Sequence, residues 1–293
     1  MASLKNQKYH AFVKTVELGG LTRAAEVMGY TQSGISHMIQ SLEDEVGVRL
    51  LYRDRSGVRM TTEGEQLLPY FVDICNSEYC LENKIRDILG LDAGIIRIGT
   101  INSVAVHWLP YIMKEFLADF PKVEFEMLYG DYTQIEKWVV EGSVDIGFSR
   151  LPSKIKLKSR FLKSDELVVI MPPDHPLSKQ EVFPPEAFEI YPYAMIDEGE
   201  DYEMGAMFDY FHVKPLTRFT AKDDYTIVAM VANGLAISIM PTLVMKDMPY
   251  NVLMKPFPDS MQREIGVIYK DEKKLSVAAV RFLDYVLDWV ERN

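Results

Sequence analysis

Apolar residues along the first ninety positions recur with helical spacing. Tyr9, Phe12, Val13 and Val16 follow the i, i+3, i+4, i+7 rule and predict a first amphipathic helix, ended by Gly19-Gly20. Leu21, Ala24, Ala25 and Met28 predict a second, shorter helix. Gly29 is its natural stop, because glycine enters the left-handed region without strain. Thr31 is the expected N-cap of a third helix, with Ile35, Ile39, Leu42 and Val46 as the buried stripe and Gly47 as terminator. The run "VRLLYRDRSGVRMT" then reads as a β-hairpin, or wing, with a basic turn at Asp54 to Gly57. Thr62 and Glu65 form a T-x-x-E capping box for a long fourth helix. Its positions Leu67, Phe71, Ile74, Glu78, Leu81, Ile85 and Ile88 repeat with 4-3 spacing, apolar but for Glu78. That seam favours pairing with another helix over packing on its own domain. Pro69 is tolerated in the first turns and is expected to bend them.

After Leu91 to Gly94, which reads as a hinge, the rhythm changes. Strand-like runs ("IIRIGTI", "VEFEML", "VDIGFS", "ELVVIM", "YAMID", "LAISIM", "IGVIY") alternate with helical patterns such as "VHWLPYIMKEFLADF" and "YTQIEKWVVEG". This predicts an α/β domain with mostly parallel strands. The uncharged stretch 225–245 is interrupted by Asn233-Gly234 and Pro241, so it reads as helix, turn and strand, and no membrane partner is expected. No internal repeat or low-complexity segment is visible.

Composition sharpens this division. The chain has 293 residues and a net charge of -11, which argues against a general nucleic-acid coat. Residues 1–60 nevertheless hold eight Lys/Arg against six Asp/Glu, while the remainder holds 24 against 37. A weakly basic head on an acidic body fits a phosphate-facing module joined to one that avoids phosphate. The two cysteines, Cys75 and Cys80, point about 140° apart on a helix, which argues against a disulfide and for a reducing compartment. The first residues lack the apolar core of a signal peptide, and a cytoplasmic location is expected.

The pair of helices over 21–47 meets the needs of a helix-turn-helix. Ala24 and Ala25 permit close approach, the turn is tight, and the second helix opens with short polar side chains. Gln32 suits adenine, which presents a donor beside an acceptor. Ser33 and Ser36 suit bases or phosphates, and His37 and Gln40 follow on the same face. Arg23, Arg53, Arg55 and Arg59 are spaced to reach phosphates or a minor groove. Geometry alone leaves an ordinary helical hairpin equally open. Enzyme signatures are missing: there is no G-x-S-x-G, no P-loop and no G-x-G-x-x-G, and His10, His37, His107, His175 and His212 make no metal spacing. Neither a metal nor a cofactor is expected.

With these residues in view, the chain resembles the LysR-type transcriptional regulators. Phe12, "LTRAAEVM", "TQSGIS", Ile39, "SLEDEVGVRLLYR" and "MTTEGEQLL" carry the likeness at the start; "IRIGT", "LP…F…FP", "VDIGF", "DHPL" and "VANGLAISIMP" extend it over essentially the whole chain. The resemblance implies an α/β protein: an N-terminal winged helix-turn-helix with a long linker helix, and a C-terminal two-lobed domain like type 2 periplasmic binding proteins. The expected boundaries are 1–60 for the DNA-binding domain, 61–90 for the linker helix and 91–293 for the effector domain. Lobe I is expected at about 91–162 and 265–293, and lobe II at about 163–264. Expected partners are double-stranded DNA, a second copy of the chain in a dimer or dimer of dimers, and a small-molecule effector. The family's base contacts carry over to Thr31, Gln32, Ser33, Ser36, His37 and Arg53. The family's structural loop signature covers His175. Gly20 and Gly34 depart from the pattern, removing a side-chain cap and weakening the third helix by ~0.5–1 kcal/mol relative to alanine. Leu51 replaces the usual phenylalanine.

The resemblance also places the effector after the first strand of the large domain, at Thr100, Asn102 and Ser103, where simple N-capping is the competing explanation. Ser149 and Arg150 follow "VDIGF" and are expected to line the same cleft. Asp197, Glu198, Asp201, Asp223 and Asp224 make the facing side acidic, either as a solvated face or, with Asp197 and Asp223 as contacts, as the site of a cationic or zwitterionic effector. The rival to the whole account is a solute-binding or enzymatic α/β protein whose first helices only dimerise.

Overall fold

The computed structural model describes residues 4–54, 57–88, 93–197 and 203–293. It divides into two compact units.

The first unit contains α1 (Leu4–Glu17), α2 (Leu21–Met28), α3 (Gln32–Val46), β1 (Leu51–Asp54), β2 (Gly57–Met60) and α4 (Thr62–Ile88). Its core holds most of the predicted stripe: Phe12, Ala24, Ala25, Ile35, Ile39 and Leu42 are buried together with Leu50 and Phe71. Val46, expected to complete the stripe, is exposed in the last turn of α3, and Glu43 is buried there instead. Gly29 takes a left-handed φ of 71° and ends α2, as its position predicted. The N-cap of α4 is Thr61, one residue before the predicted Thr62. Thr61 Oγ1 accepts from Gly64 N at 2.9 Å and donates to Arg49 O at 2.7 Å. Buried, with two backbone partners, Thr61 outcompetes its neighbour. Gly64 is needed there because a Cβ would lie 2.3 Å from Leu50 O.

The 4-3 seam of α4 is divided. Phe71 is buried against Tyr9 and Phe12 of α1, with ring centroids 5.3 and 5.4 Å away, so the first turns serve their own core. Ile74, Leu81 and Ile85 remain 39%, 60% and 47% exposed. Glu78, the polar break, is held by His10 Nε2 at 3.0 Å.

The second unit runs through β3 (Ala93–Thr100), α5 (Asn102–His107), α6 (Leu109–Asp119), β4 (Lys122–Tyr129), α7 (Tyr132–Glu141), β5 (Ile146–Leu151) and β6 (Lys158–Met171). It continues through β7 (Tyr193–Ile196), α8 (Glu203–Phe211), β8 (Thr217–Ala221), α9 (Asp224–Ala232), β9 (Ser238–Pro241), α10 (Thr242–Met245), β10 (Leu253–Lys255), β11 (Gln262–Tyr269) and α11 (Val277–Arg292). The main sheet has the order β10-β6-β11-β5-β3-β4, with β9 also on β6. Among the described strands, the β3-β4, β3-β5 and separate β7-β8 pairs are parallel, while β6, β9, β10 and β11 pair antiparallel. The expectation of mostly parallel strands is therefore corrected to a mixed sheet.

The reason lies in β6, whose two halves serve different cores. Residues 158–166 pair with β11, and residues 167–171 pair with β9 and β10. One core gathers Ile96, Ile98, Phe116, Ile135, Phe148 and Phe282 around β3, β5 and β11. Beyond the crossing, Leu167, Val169 and Met171 face a core with Phe183, Phe188 and Tyr193, while Ile170 faces another under α9. Alternate residues of one strand thus feed both faces of the second lobe. The uncharged stretch 225–245 is α9, a turn, β9 and α10, and among the described residues no helix is long and apolar enough to cross a membrane.

Candidate DNA-reading and effector sites

In the first unit, α3 buries Ile35, Ile39 and Leu42 and exposes the opposite face. Thr31 caps it, its Oγ1 accepting from Gly34 N at 3.1 Å, an interaction typically worth ~1 kcal/mol. Gln32, Ser33, His37 and Gln40 are exposed and Ser36 is half-buried. Ser33 lies 3.1 Å from the capping hydroxyl, and Gln40 is tied to Asp44 at 3.0 Å. Gln32 and His37 thus offer exposed polar atoms at the positive end of the helix, where amides and dipole favour an anion. Arg23 is exposed on α2. Arg53 belongs to β1, opposite Val58, while Arg55 lies outside the described residues. As expected, Gly20 leaves α2 without a side-chain cap.

The sequence reading missed the residue that anchors the wing. Glu43 is buried, and its Oε1 accepts from Leu50 N at 2.8 Å and Leu51 N at 3.1 Å. It joins the end of α3 to the start of the hairpin. A carboxylate among the stripe residues of an amphipathic helix was the available signal.

In the second unit, a cavity of about 150 Å³ opens between the two lobes. Asn102 and Ser103 at the start of α5 line one wall, with Tyr132 of α7; Asp197, Lys222 and Asp224 line the other. Asn102 Nδ2 donates to Asp224 Oδ2 at 3.2 Å, bridging the lobes. α5 has no side-chain cap, so neither Asn102 nor Ser103 is spent on capping. Lys222 Nζ stands 3.8 Å from Asp197.

Several predicted contacts lie elsewhere. Thr100 is fully buried and donates to Ile101 O at 3.0 Å. Ser149 is buried within β5, and Arg150 lies 5.6 Å from the Tyr132 ring centroid; neither lines the cavity. Asp223 is exposed and engaged as the N-cap of α9, accepting from Thr226 N and Oγ1 at 2.8 and 2.7 Å. Its neighbour Asp224 turns inward instead. Two adjacent aspartates at a helix start do not reveal which one caps. Glu198 and Asp201 lie outside the described residues.

The floor of the cavity belongs to Arg263, which sequence reasoning also missed. Its Nε and Nη2 donate to Asp165 Oδ2 at 3.0 and 2.8 Å, Nη1 to Tyr132 Oη at 3.0 Å, and Nη2 to Ser103 Oγ at 2.9 Å. Asp165 Oδ1 in turn accepts from Thr242 Oγ1 and Leu243 N. Each guanidinium nitrogen therefore donates within the protein. Asp224 is buried, and burial pushes its carboxyl above the usual range; Asn102 and Arg263 draw it part of the way back, and Asp223 adds to the rise. His175 stands apart, packed on Tyr191 with centroids 4.4 Å apart.

A winged helix-turn-helix followed by a two-lobed domain with an interlobe cavity defines a DNA-binding regulator with a small-molecule-responsive module. Residues 7–65 match the bacterial regulatory helix-turn-helix protein model of the lysR family, and residues 90–291 match the LysR substrate binding domain. The chain belongs to the LysR family of transcriptional regulators, which are not enzymes. It is 31% identical to the probable HTH-type transcriptional regulator LrrA of Synechococcus elongatus over 255 residues, covering 86% of this chain and 85% of that one. Full-length CbnR, solved with its target DNA, shares the fold with a TM-score of 0.71 at 17% identity over 98% of this chain and 99% of CbnR. The effector-binding domain of QuiR, solved with shikimate, matches with a TM-score of 0.61 at 21% identity over 69% of this chain and 99% of that domain.

Proposed function

We propose that this regulator answers to a small cationic or zwitterionic effector, an amino acid or amine, whose ammonium group sits beside Asp224. The observation that carries this reading is the contrast between Arg263 and Asp224. Among the described residues, the buried guanidinium of the cavity wall is consumed by Asp165, Tyr132 and Ser103, whereas Asp224 has Asn102 as its partner and keeps an acceptor for an incoming donor. The termini of α7 and α9 are already served by carboxylates: Asp131 Oδ1 accepts from Gln134 N at 2.8 Å, and Asp223 caps α9. A cavity well below the ~300–1,000 Å³ of drug-sized sites favours a small metabolite. The QuiR complex with shikimate supports a small-molecule effector for a domain of this kind.

At the other end, Thr31, Gln32, Ser33, Ser36 and His37 read base edges, with Arg53 from the wing; Arg23, Gln40 and Arg55 secure the backbone. Exposed Ile74, Leu81 and Ile85 on α4 form the dimer seam, and two dimers place recognition helices about 34–36 Å apart or a multiple of that. Residues 1–60, 61–90 and 91–293 act as reading head, linker and cytoplasmic sensor. Effector binding favours one lobe angle over another and so biases the spacing of the heads.

Isothermal titration of the full chain with amino acids, polyamines and simple organic acids tests the effector class. Binding of an amine or amino acid, lost in Asp224→Asn, is the expected result. Binding of plain organic acids alone refutes it.

A further inference from the structure

The acidic body of the chain carries a basic edge. Residues 152–163, "PSKIKLKSRFLK", hold five Lys/Arg and no Asp/Glu, and residues 270–274, "KDEKK", add three lysines against two acids. The fold brings the two runs together. β6 and β11 pair antiparallel with Lys158 opposite Tyr269, so the start of one strand lies beside the end of the other. Arg160 Nη2 donates to Glu272 Oε2 at 2.9 Å, and Tyr269 Oη donates to the same oxygen at 3.2 Å. These bonds pin the short turn Glu272–Lys274 against β6. Asp271 caps that turn, its Oδ1 accepting from Lys273 N at 3.1 Å. Both acids are thus engaged. Among the described residues, no hydrogen bond or ion pair holds the ammonium groups of Lys156, Lys158, Lys273 and Lys274.

The same lysines flank an open strand edge. Over residues 158–166, β6 pairs with β11 on one side; β9 and β10 join it only from Leu167 onward. Among the described strands, none lies along the other side of 158–166. Ile155 and Phe161 are exposed between the cations. Leu162 has no register partner on β11, so a bulge ends the regular edge after Phe161. Lysines and a bulge are devices that keep an edge from pairing with its own copy, because cation would meet cation. They leave the edge open to a strand of opposite charge.

We propose that this edge of the first lobe docks an extended acidic segment of another protein. The segment pairs with the backbone of residues 158–161 and sets its carboxylates against the four lysines, while its apolar side chains meet Ile155 and Phe161. DNA would use the cations but neither the backbone edge nor the two apolar side chains.

The test is fluorescence anisotropy of the full chain with three short labelled peptides at one fixed salt concentration: alternating Glu-Val, alternating Lys-Val, and the Glu-Val peptide with every backbone amide N-methylated. The Glu-Val peptide is expected to bind, the Lys-Val peptide not to bind, and the N-methylated peptide to bind about tenfold more weakly or worse, because it keeps the charge but has lost its backbone donors. The quadruple variant Lys156→Gln/Lys158→Gln/Lys273→Gln/Lys274→Gln is expected to lose about tenfold or more in affinity for the Glu-Val peptide. The corresponding quadruple arginine variant should keep it. Random duplex DNA should bind the parent and the glutamine variant equally. No binding of the Glu-Val peptide up to about 1 mM overturns the proposal, and leaves the lysines as guards against self-pairing if the glutamine variant aggregates. Equal binding of the N-methylated peptide overturns it by removing the strand edge from the contact. Undiminished peptide binding by the glutamine variant places the contact elsewhere, and weaker binding of random DNA by that variant makes the patch a phosphate surface; either result overturns it.

Discussion

Arg263 on β11 and Asp165 on β6 are register partners, and their side chains form a buried ion pair, Nη2 to Oδ2 2.8 Å, where both strands pass between the lobes. The pair also organises its surroundings. Arg263 holds Ser103 and Tyr132 of the first lobe, and Asp165 holds the start of α10 in the second.

Arg263→Met should therefore be costly, because it leaves Asp165 buried without a cation; removing one partner of such a pair costs about 3–5 kcal/mol. Arg263→Lys should recover only part of that loss, since one ammonium cannot reproduce a fork spread over three partners. Thermal unfolding of the full-length variants checks this. A lysine variant as stable as the parent would contradict it.

Asp224 makes stability depend on pH. Its folded carboxyl has a raised pKa, chiefly through burial, so the folded state binds the proton more tightly than the unfolded chain. Its contribution is favourable at low pH and is lost as pH rises through the folded value, leaving the full penalty at neutrality. Asp224→Asn removes that penalty and keeps an acceptor for Asn102. The variant should melt higher at neutral pH, by ~2–4 °C for each kcal/mol recovered, with the gain shrinking on acidification. A gain that grew as pH fell would show the opposite linkage.

Glu43→Ala should detach the wing. Two buried amides, Leu50 N and Leu51 N, lose their acceptor, at about 1–3 kcal/mol for each group left unsatisfied. Glu43→Gln retains a carbonyl oxygen and should lose much less. Chemical denaturation combined with DNA binding distinguishes the variants, and equal stability of alanine and glutamine at this position would remove Glu43 from the account.

The two cysteines should differ sharply in reactivity. Burial pushes the Cys75 thiol up to about 12, with Glu78 and Glu17 adding to the rise, so it carries almost no thiolate at neutral pH, while Cys80 is exposed. Thiol titration with a disulfide reagent should register one fast group in the native protein and the second only on unfolding. Two fast groups would place Cys75 in a more open environment.

Much of the first unit was legible because local rules determine it. The Gly29 stop, the Thr31 cap and the Ile35-Ile39-Leu42 stripe follow from helical periodicity and backbone freedom alone. The choice between Thr61 and Thr62 was not local, since it depends on Arg49 O and Leu50 O from another segment. The strand directions were hidden for a similar reason. Apolar alternation looks the same in parallel and antiparallel strands, and β6 changes lobe without breaking its pattern. The cavity was half visible. Asn102 and Ser103 were placed in it by family likeness and Asp197 by the acidic runs of the facing side, but that Asp224 rather than Asp223 turns inward, and that Arg263 joins it, needed the fold. A signal for Arg263 and Asp165 did exist: each occupies the buried phase of its strand, with Ile265 and Val267 in one case and Leu167 and Val169 in the other. A charge in a core phase asks for a partner, and two such strands supply each other's.

The central claim, that α3 reads base sequence, is tested most directly by fluorescence anisotropy of Gln32→Ala on promoter DNA beside its own gene and on random DNA at one fixed salt concentration. The expected result is a loss of about 1–3 kcal/mol on the specific site with binding to random DNA unchanged. Equal loss on both sequences would contradict it, leaving Gln32 as a contact to the phosphate backbone.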